Sequence, residues 1–473
     1  MGRVRMRFLL RCTAVVLCAS TFVPSQSQSL DSATQAKVES EIHRVMRETG
    51  VPSAQVGIAR GGKVVYAAAF GDAQMASVAM PRVAATPEMH YAVGSISKQF
   101  TAACVLLLQQ RGQMKLDDPV AKWFPELTRA QDVTVRNLLT HTSGYSDYAP
   151  QDYTIPEWTQ KGDPLALVRK WAGKPLDFEP GTKWQYSNTN FVLAGLIVEK
   201  VSGVLFRDFL RDNLLRPLQL KDVLDLDYDH AKMEPVGYKR NALGPLRPAI
   251  PEAPGWYFAD GELAMPVRTL LEWDESLLHR TLLRPESYDA MFAEQKMKDG
   301  SGSHYALGLQ VALRDGRQVI THSGEIGGFV AQNTIYPQDD VAIAVLTNQD
   351  ASRAAGLIAS AITPLVLGAS AVSGAAHSVT NDEVKKILLA FAQGSIDRSL
   401  FTSNANFYFS QMAVGDYQTS LAGLGALQSV TEDRALLRGG MQMRSYTAQY
   451  ASRSVSVSTY WMPDGKLEQF LVE

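Results

Sequence analysis

Gly94-Ser95-Ile96-Ser97-Lys98-Gln99-Phe100-Thr101-Ala102-Ala103-Cys104-Val105-Leu106-Leu107-Leu108 is the stretch around which the chain is organised. From Ile96 onward it reads as a helix without internal Gly or Pro, closing at Arg111-Gly112, a basic last turn followed by a C′ glycine. The apolar residues from Ala102 to Leu108 cover every side, which predicts a helix buried all round. Residues three apart share a helix face, so the Lys98 amine can reach the Ser95 hydroxyl. Ser95 falls at the first turn, where free N–H groups and the helix dipole favour developing negative charge. A free lysine, with a pKa of about 10.4, is protonated and useless as a base. Desolvation and positive neighbours lower that value and let a lysine activate a hydroxyl. Taken alone, the spacing equally fits a hydroxyl at a helix start with a solvated lysine one turn on.

Composition narrows the setting. Apolar residues make up 46% of the 473 and charged residues 20%, enough for a large core and against disorder. The formal charge of −2 gives no reason to expect a nucleic-acid partner. Residues 1–29 differ: Arg3, Arg5, Arg7 and Arg11 precede an apolar run over 13–23, too short to span a bilayer, then Ser25-Gln26-Ser27-Gln28-Ser29. This pattern reads as a secretory signal peptide, with a short membrane anchor as the alternative. Its removal takes the formal charge from −2 to −6 and carries off Cys12 and Cys18. Cys104 then remains, a core hydrophobe with no disulfide partner. An exported protein without a membrane span after signal cleavage is expected.

Along the remainder, 31–50 predicts an amphipathic helix with Val38, Ile42, Val45 and Met46 on one stripe. Residues 55–59 and 63–70 read as strands around Arg60-Gly61-Gly62. A short helix is expected over 120–124 and another from 133 into the loop ending at Gly144. Residues 145–260 read as mostly helix and loop. Strand patterns return at 305–312, 318–321, 328–336 and 341–347, with a turn at 314–316, and a helix over 351–367 closes the series. A sheet built from both chain ends around an inserted helical lobe is an α+β layering with a cleft between the parts. Residues 30–368 form this first domain and 369–377 a linker. Residues 378–473 form a small α+β domain, with a helix at 381–393 and strands at 441–450, 455–461 and 466–472.

Two further segments carry chemistry. Tyr186-Ser187-Asn188 follows a Pro180-Gly181 turn and precedes an apolar helix over 191–200, so a polar loop can present the phenol and the amide toward the cleft. His322-Ser323-Gly324 ends a strand and enters Glu325-Ile326-Gly327-Gly328, where glycines let backbone approach a ligand. Further stretches accompany these: Tyr91-Ala92-Val93-Gly94, Leu138-Leu139-Thr140-His141-Thr142-Ser143-Gly144, Phe178-Glu179-Pro180-Gly181 and Leu193-Ala194-Gly195. With these motifs in this order, residues 35–368 resemble the serine β-lactamase-like superfamily. The similarity is to the branch holding class C β-lactamases, D-Ala-D-Ala carboxypeptidases and related esterases, whose S-x-x-K motif Ser95 and Lys98 match.

The resemblance implies a β-lactamase/transpeptidase-like antiparallel sheet flanked by helices, and a role for each motif residue. Ser95 would be the nucleophile that forms an acyl-enzyme, and Lys98 would take or relay its proton. Tyr186 would pass a proton to the leaving group, and Asn188 would bind the substrate amide. His322, with Ser323 and Gly324, would occupy the third substrate-binding motif. The backbone N–H groups of Ser95 and Glu325 would form the oxyanion hole, typically the largest catalytic term. The implied activity is an exported serine acyl hydrolase for small-molecule or peptide amides and esters, without cofactor or metal. It would be a D-Ala-D-Ala-type peptidase or an esterase, with β-lactams bound or weakly hydrolysed.

Two departures qualify this. His322 stands where class C β-lactamases carry lysine, so its hold on a carboxylate depends on a proton it lacks at pH 7 unless its pKa is raised. The 378–473 domain has no counterpart in the minimal family; its pattern is similar to NTF2-like or cystatin-like modules, and it can recognise substrate, drive dimerisation or do neither. His141 reads as structural, because Lys98 and Tyr186 already supply proton transfer. No G-x-S-x-G pentapeptide supports a lipase, and no H-E-x-x-H a metallo-hydrolase. The competing class is a non-catalytic penicillin-binding sensor or scaffold that acylates without turnover.

Overall fold

The computed structural model describes residues 29–314, 316–368 and 382–473. The signal read at 1–29, apart from Ser29, and the 369–377 linker lie outside them, as does Asp315 of the expected turn. The helices that position the site are α1 (Ser32–Thr49), α2 (Ser97–Gln110), α3 (Asn188–Ser202), α4 (Val267–Leu278) and α5 (Ala354–Leu367). The strands are β1 (Ser53–Arg60), β2 (Lys63–Gln74), β3 (Gln310–Arg314), β4 (Arg317–Ile326), β5 (Phe329–Tyr336) and β6 (Val341–Thr347).

These strands form one antiparallel sheet in the order β2-β1-β6-β5-β4-β3, with the two-residue strand Val83–Ala84 at the β2 edge. β1 lies against β6, Val56 opposite Val345, so the sheet joins the two ends of this part of the chain. α1 and α5 cover one face through Val38, Ile42, Ile358 and Ile362, packed on Val56, Ile343 and Val345. α4 covers the other face, and Gly57 lets it close in: a Cβ there would come within 2.6 Å of the Leu271 side chain.

α2 is the centre of the helical lobe. Every residue from Ser97 to Leu108 is buried, as the all-round apolar pattern requires. A 3-10 turn, Gly94–Ile96, leads into it. Phe100 stacks on Trp273 with ring centroids 4.2 Å apart, and Cys104 is a buried free thiol. Gly112 follows the helix in the left-handed region, φ 70°.

Several sequence expectations shift. The 120–124 helix is a single 3-10 turn, Val120–Lys122, entered from the extended Pro119. The helix before Gly144 is short, Val135–Leu139, started by a Thr134–Asn137 capping box. β3 begins at Gln310 rather than 305, and α5 at Ala354 rather than 351. α3 begins at Asn188, so the amide of the second motif sits on the first turn of a helix rather than in the loop before it. β4 continues to Ile326, so His322-Ser323-Gly324 lies within a strand rather than at its end.

The C-terminal segment opens with α6 (Asp382–Ala392) and α7 (Gln411–Ala422). An antiparallel meander follows: β7 (Leu427–Arg438), β8 (Met441–Tyr450), β9 (Ser454–Trp461) and β10 (Leu467–Val472). Phe391, Tyr417, Tyr446 and Phe470 anchor a core of its own. β7 and α7 are absent from the sequence expectation. Among the described residues no single helix is long and apolar enough to cross a membrane.

Leu106 is fully buried in α2 and Leu389 is 43% exposed on α6. Leu106→Ala is expected to cost about 2–5 kcal/mol, read as a lowered urea midpoint. Leu389→Ala is expected to stay within about 0.5 kcal/mol.

Candidate active site

α2, α3 and β4 converge so that all three motifs line one cavity of about 340 Å³, among them Ser95, Tyr186, Asn188, His322 and Ser323. Lys98, next to Ser95, has no solvent exposure. Its Nζ is 2.9 Å from Ser95 Oγ, 2.8 Å from Asn188 Oδ1 and 2.6 Å from the Asp260 carbonyl oxygen. Two of these three neighbours are carbonyl oxygens, which only accept. An ammonium fills all three contacts by donating. A free amine fills the two carbonyls and turns its lone pair to the Ser95 hydroxyl. One geometry therefore serves both protonation states, which is what a proton relay needs.

The Tyr186 ring lies beside the same amine, its centroid 5.2 Å from Nζ. His141 braces that ring, with centroids 4.2 Å apart. His141 Nδ1 accepts the Ser187 N–H at 3.2 Å, and burial holds the imidazole well below its ordinary pKa, with the charge of Lys98 adding to the effect. It is a neutral, buried prop for Tyr186, in keeping with the structural role read from the sequence.

Asn188 is committed to the protein. Its carbonyl receives Lys98, while its Nδ2 donates to the Ala149 carbonyl at 3.1 Å and faces Asp147 Oδ2 at 3.4 Å. In this state it positions the lysine rather than offering a free amide.

His322 is committed too. Nδ1 lies 2.6 Å from the Ser323 carbonyl oxygen and so carries the proton, leaving Nε2 to accept from the Tyr305 hydroxyl at 2.8 Å. Burial, helped by Lys98, pushes the ring down to about 3. The third motif thus presents a saturated neutral imidazole, and the cation on which a carboxylate grip depended is missing.

Glycine brings the two candidate oxyanion amides together. A Cβ on Gly94 would lie 2.7 Å from Glu325 N, and one on Gly324 would lie 3.0 Å from Ser95 N and 1.8 Å from the Val93 carbonyl oxygen. No side chain fits in either place, so β4 approaches the start of α2 backbone to backbone.

Three residues that the motifs do not name complete the surroundings. Asp260 Oδ2 is 3.9 Å from Lys98 Nζ and accepts the Tyr148 hydroxyl at 3.1 Å. At that distance the amine does not offset the loss of solvent: burial pushes the carboxyl up to about 8, so near pH 7 it is largely the neutral acid. Asp147 is buried without exposure and accepts the Asn188 N–H at 2.9 Å. Arg438, at the end of β7, has its guanidinium carbon 5.6 Å from the Tyr186 ring centroid. The Gly439-Gly440 pair after it was the available sequence signal, since G-G between apolar runs marks a hairpin.

The two buried histidines set a pH dependence. Both are neutral when folded, whereas unfolded histidine binds a proton below about pH 6.5. Their contribution to stability is full above that value and drains as pH falls toward the folded pKa, about 3 for His322. The difference in urea midpoint between wild type and His322→Asn is therefore expected to shrink from pH 7 to pH 4. A difference that stays constant would mean the ring does not titrate between the two states. Asp260 works in the opposite direction, and its effect cancels in the comparison.

The chain matches the family model described as Beta-lactamase across residues 38–363. Penicillin-binding protein 4* of Bacillus subtilis (strain 168) is 26% identical over 310 residues, 62% of this chain and 67% of that protein. The octameric penicillin-binding protein homologue from Pyrococcus abyssi shares the fold at TM-score 0.61 and 23% identity, covering 93% of this chain and 100% of that one. A D-stereospecific amidohydrolase from Streptomyces sp. is 28% identical at TM-score 0.58, covering 69% of this chain and 98% of that one. With a buried Ser95–Lys98 pair in a crevice of this fold, the chain belongs to the Beta-lactamase family and is a serine hydrolase.

Proposed function

We propose that the chain cleaves amide or ester bonds through a Ser95 acyl-enzyme, with small amides of D-amino acids or short peptides as the favoured substrates. The observation that carries this is the buried Lys98 amine, held by two carbonyl oxygens 2.9 Å from the Ser95 hydroxyl. Ser95 Oγ attacks the substrate carbonyl carbon as its proton passes to Lys98 Nζ. The N–H groups of Ser95 and Glu325 receive the oxyanion. The intermediate collapses as the leaving amine or alcohol takes a proton delivered through Tyr186. Water, deprotonated by the same relay, then releases the acid and restores Ser95.

Substrate preference follows from what the third motif lacks. A neutral, saturated His322 offers no charge to a carboxylate beside the scissile bond, which disfavours efficient β-lactam hydrolysis and D-Ala-D-Ala carboxypeptidase action. The likeness to a D-stereospecific amidohydrolase fits the amide reading. Export accords with the four arginines and the apolar run in the first 29 residues.

The test is covalent labelling with a fluorophosphonate, followed by a panel of D-amino acid amides, short p-nitrophenyl esters, D-Ala-D-Ala peptides and a penicillin. A mass increase abolished in Ser95→Ala, with amides and esters turned over faster than the penicillin, is the expected result. Labelling that persists in Ser95→Ala removes the nucleophile. Labelling without turnover of any substrate makes the protein a sensor.

A further inference from the structure

We propose that the C-terminal unit is a working part of the active site, and that Arg438 on the β7–β8 hairpin is a positioning residue for Tyr186 and, through Asp147 and Asn188, for Lys98. This rests on the Ser95 acyl-enzyme reading above.

The hairpin is built to reach the crevice. Arg438 pairs with Met441 across Gly439 and Gly440, both in the left-handed region at φ 59° and 75°. That is the two-residue turn whose twist suits a hairpin. The tip is pressed into the loop that carries Asp147: a Cβ on Gly439 would lie 2.8 Å from the Pro150 ring. Behind the tip, an isolated parallel bridge joins the backbone of Arg438 to that of Tyr186. Arg434, Leu436, Met443 and Tyr460 of the same sheet line the cavity that Ser95 also lines. Part of the cavity wall therefore belongs to the C-terminal unit.

One ion pair, without a hydrogen bond, and then three hydrogen bonds lead from the guanidinium to the nucleophile. Arg438 Nε is 3.8 Å from Asp147 Oδ2. Asp147 Oδ1 accepts the Asn188 N–H at 2.9 Å, Asn188 Oδ1 receives Lys98 Nζ at 2.8 Å, and Lys98 lies 2.9 Å from Ser95 Oγ. A fully buried carboxylate is tolerated only when paired and hydrogen-bonded. Asp147 has backbone and amide donors from its own loop and from α3. Its nearest cation, however, comes from the other end of the chain. Arg438 is itself steadied, donating to the Tyr460 hydroxyl at 2.7 Å and to Asp152 Oδ1 at 3.3 Å. Without it, Asp147 would be left buried with no ion partner, and the line that holds Asn188 and Lys98 would slacken.

The experiment measures the rate of Ser95 labelling by a fluorophosphonate in the full chain, with turnover of a p-nitrophenyl ester alongside. Arg438→Met is expected to slow acylation on the order of ten- to a hundredfold through misalignment of the lysine, and to lower kcat more than it raises KM. Arg438→Lys, which keeps a charge at the end of a long stem, is expected to recover most of the rate. Asp147→Asn combined with Arg438→Met is expected to be less impaired than the product of the two single effects, because the stranded carboxylate is gone. A role in packing alone gives no rescue by lysine and effects that multiply independently. Either of those results, or an Arg438→Met protein acylating at the wild-type rate, overturns the proposal. If Arg438→Met does not fold, Arg438→Gln takes its place in both comparisons and is read by the same criteria. Failure of the acyl-enzyme reading shows separately, as labelling that survives Ser95→Ala.

Discussion

A primary amine with no access to water, 2.9 Å from a serine hydroxyl, is the constraint on which the rest of the structure turns. Burying it requires acceptors for its protons, and the two firmest are carbonyl oxygens from distant segments: Asn188 Oδ1 on α3 and the backbone oxygen of Asp260. α2 has to be enclosed on every side for the amine to stay dry, and the apolar run from Ala102 to Leu108 meets that demand. The lobe formed by α2 and α3 is the chamber this requires. The sheet closes it by bringing β4 against the start of α2, at a distance that only glycine at 94 and 324 allows.

The electrostatics of the crevice follow from that same dryness. Several of the groups around Lys98 give up their charge to satisfy burial: Asp260 becomes largely an acid, and His141 and His322 remain neutral. Lys98 therefore faces dipoles more than ions, a setting in which moving a proton across a short contact entails little reorganisation of surrounding charge. A neutral His322 belongs to this pattern. Protonating it would put a second cation near Lys98 in a medium that screens poorly, which explains why the ring is pinned between Tyr305 and the Ser323 carbonyl.

What was legible in the sequence divides along the range of the interactions. The Ser95–Lys98 pair depends on helical spacing and the burial of α2 on local composition, so both could be read directly. The sheet from both ends followed from short runs rich in apolar residues, set between turns, at β1, β2, β5 and β6. Tyr186, Asn188 and His322 needed the motif order, because nothing local fixes which way a loop phenol or a strand imidazole points. Asp147, Asp260 and Arg438 were not legible: their roles arise from contacts between segments remote in sequence, and an aspartate in a loop carries no mark of becoming fully buried. β7 was hidden for another reason. It is the edge strand of its sheet, half exposed, and Glu432, Asp433, Arg434 and Arg438 interrupt any alternation of apolar and polar residues.

The edge position of β7 also bears on how the molecule is put together. An exposed edge leaves backbone groups free to pair with another segment, and here the strand's last residue bridges to the backbone of Tyr186. Further contacts hold the two units side by side: Arg247 grips Asp416 at 2.6 and 3.1 Å, and the Tyr153 hydroxyl donates to the Glu468 carbonyl at 2.7 Å. A chain that needed its C-terminal unit only as an appendage would have no reason to seat one of its arginines against the Tyr186 ring and a buried aspartate. Burial pushes the Asp147 carboxyl upward, and the Arg438 guanidinium opposes that push. The Asn188–Lys98–Ser95 line thus ends, on this geometry, at a guanidinium of the C-terminal sheet.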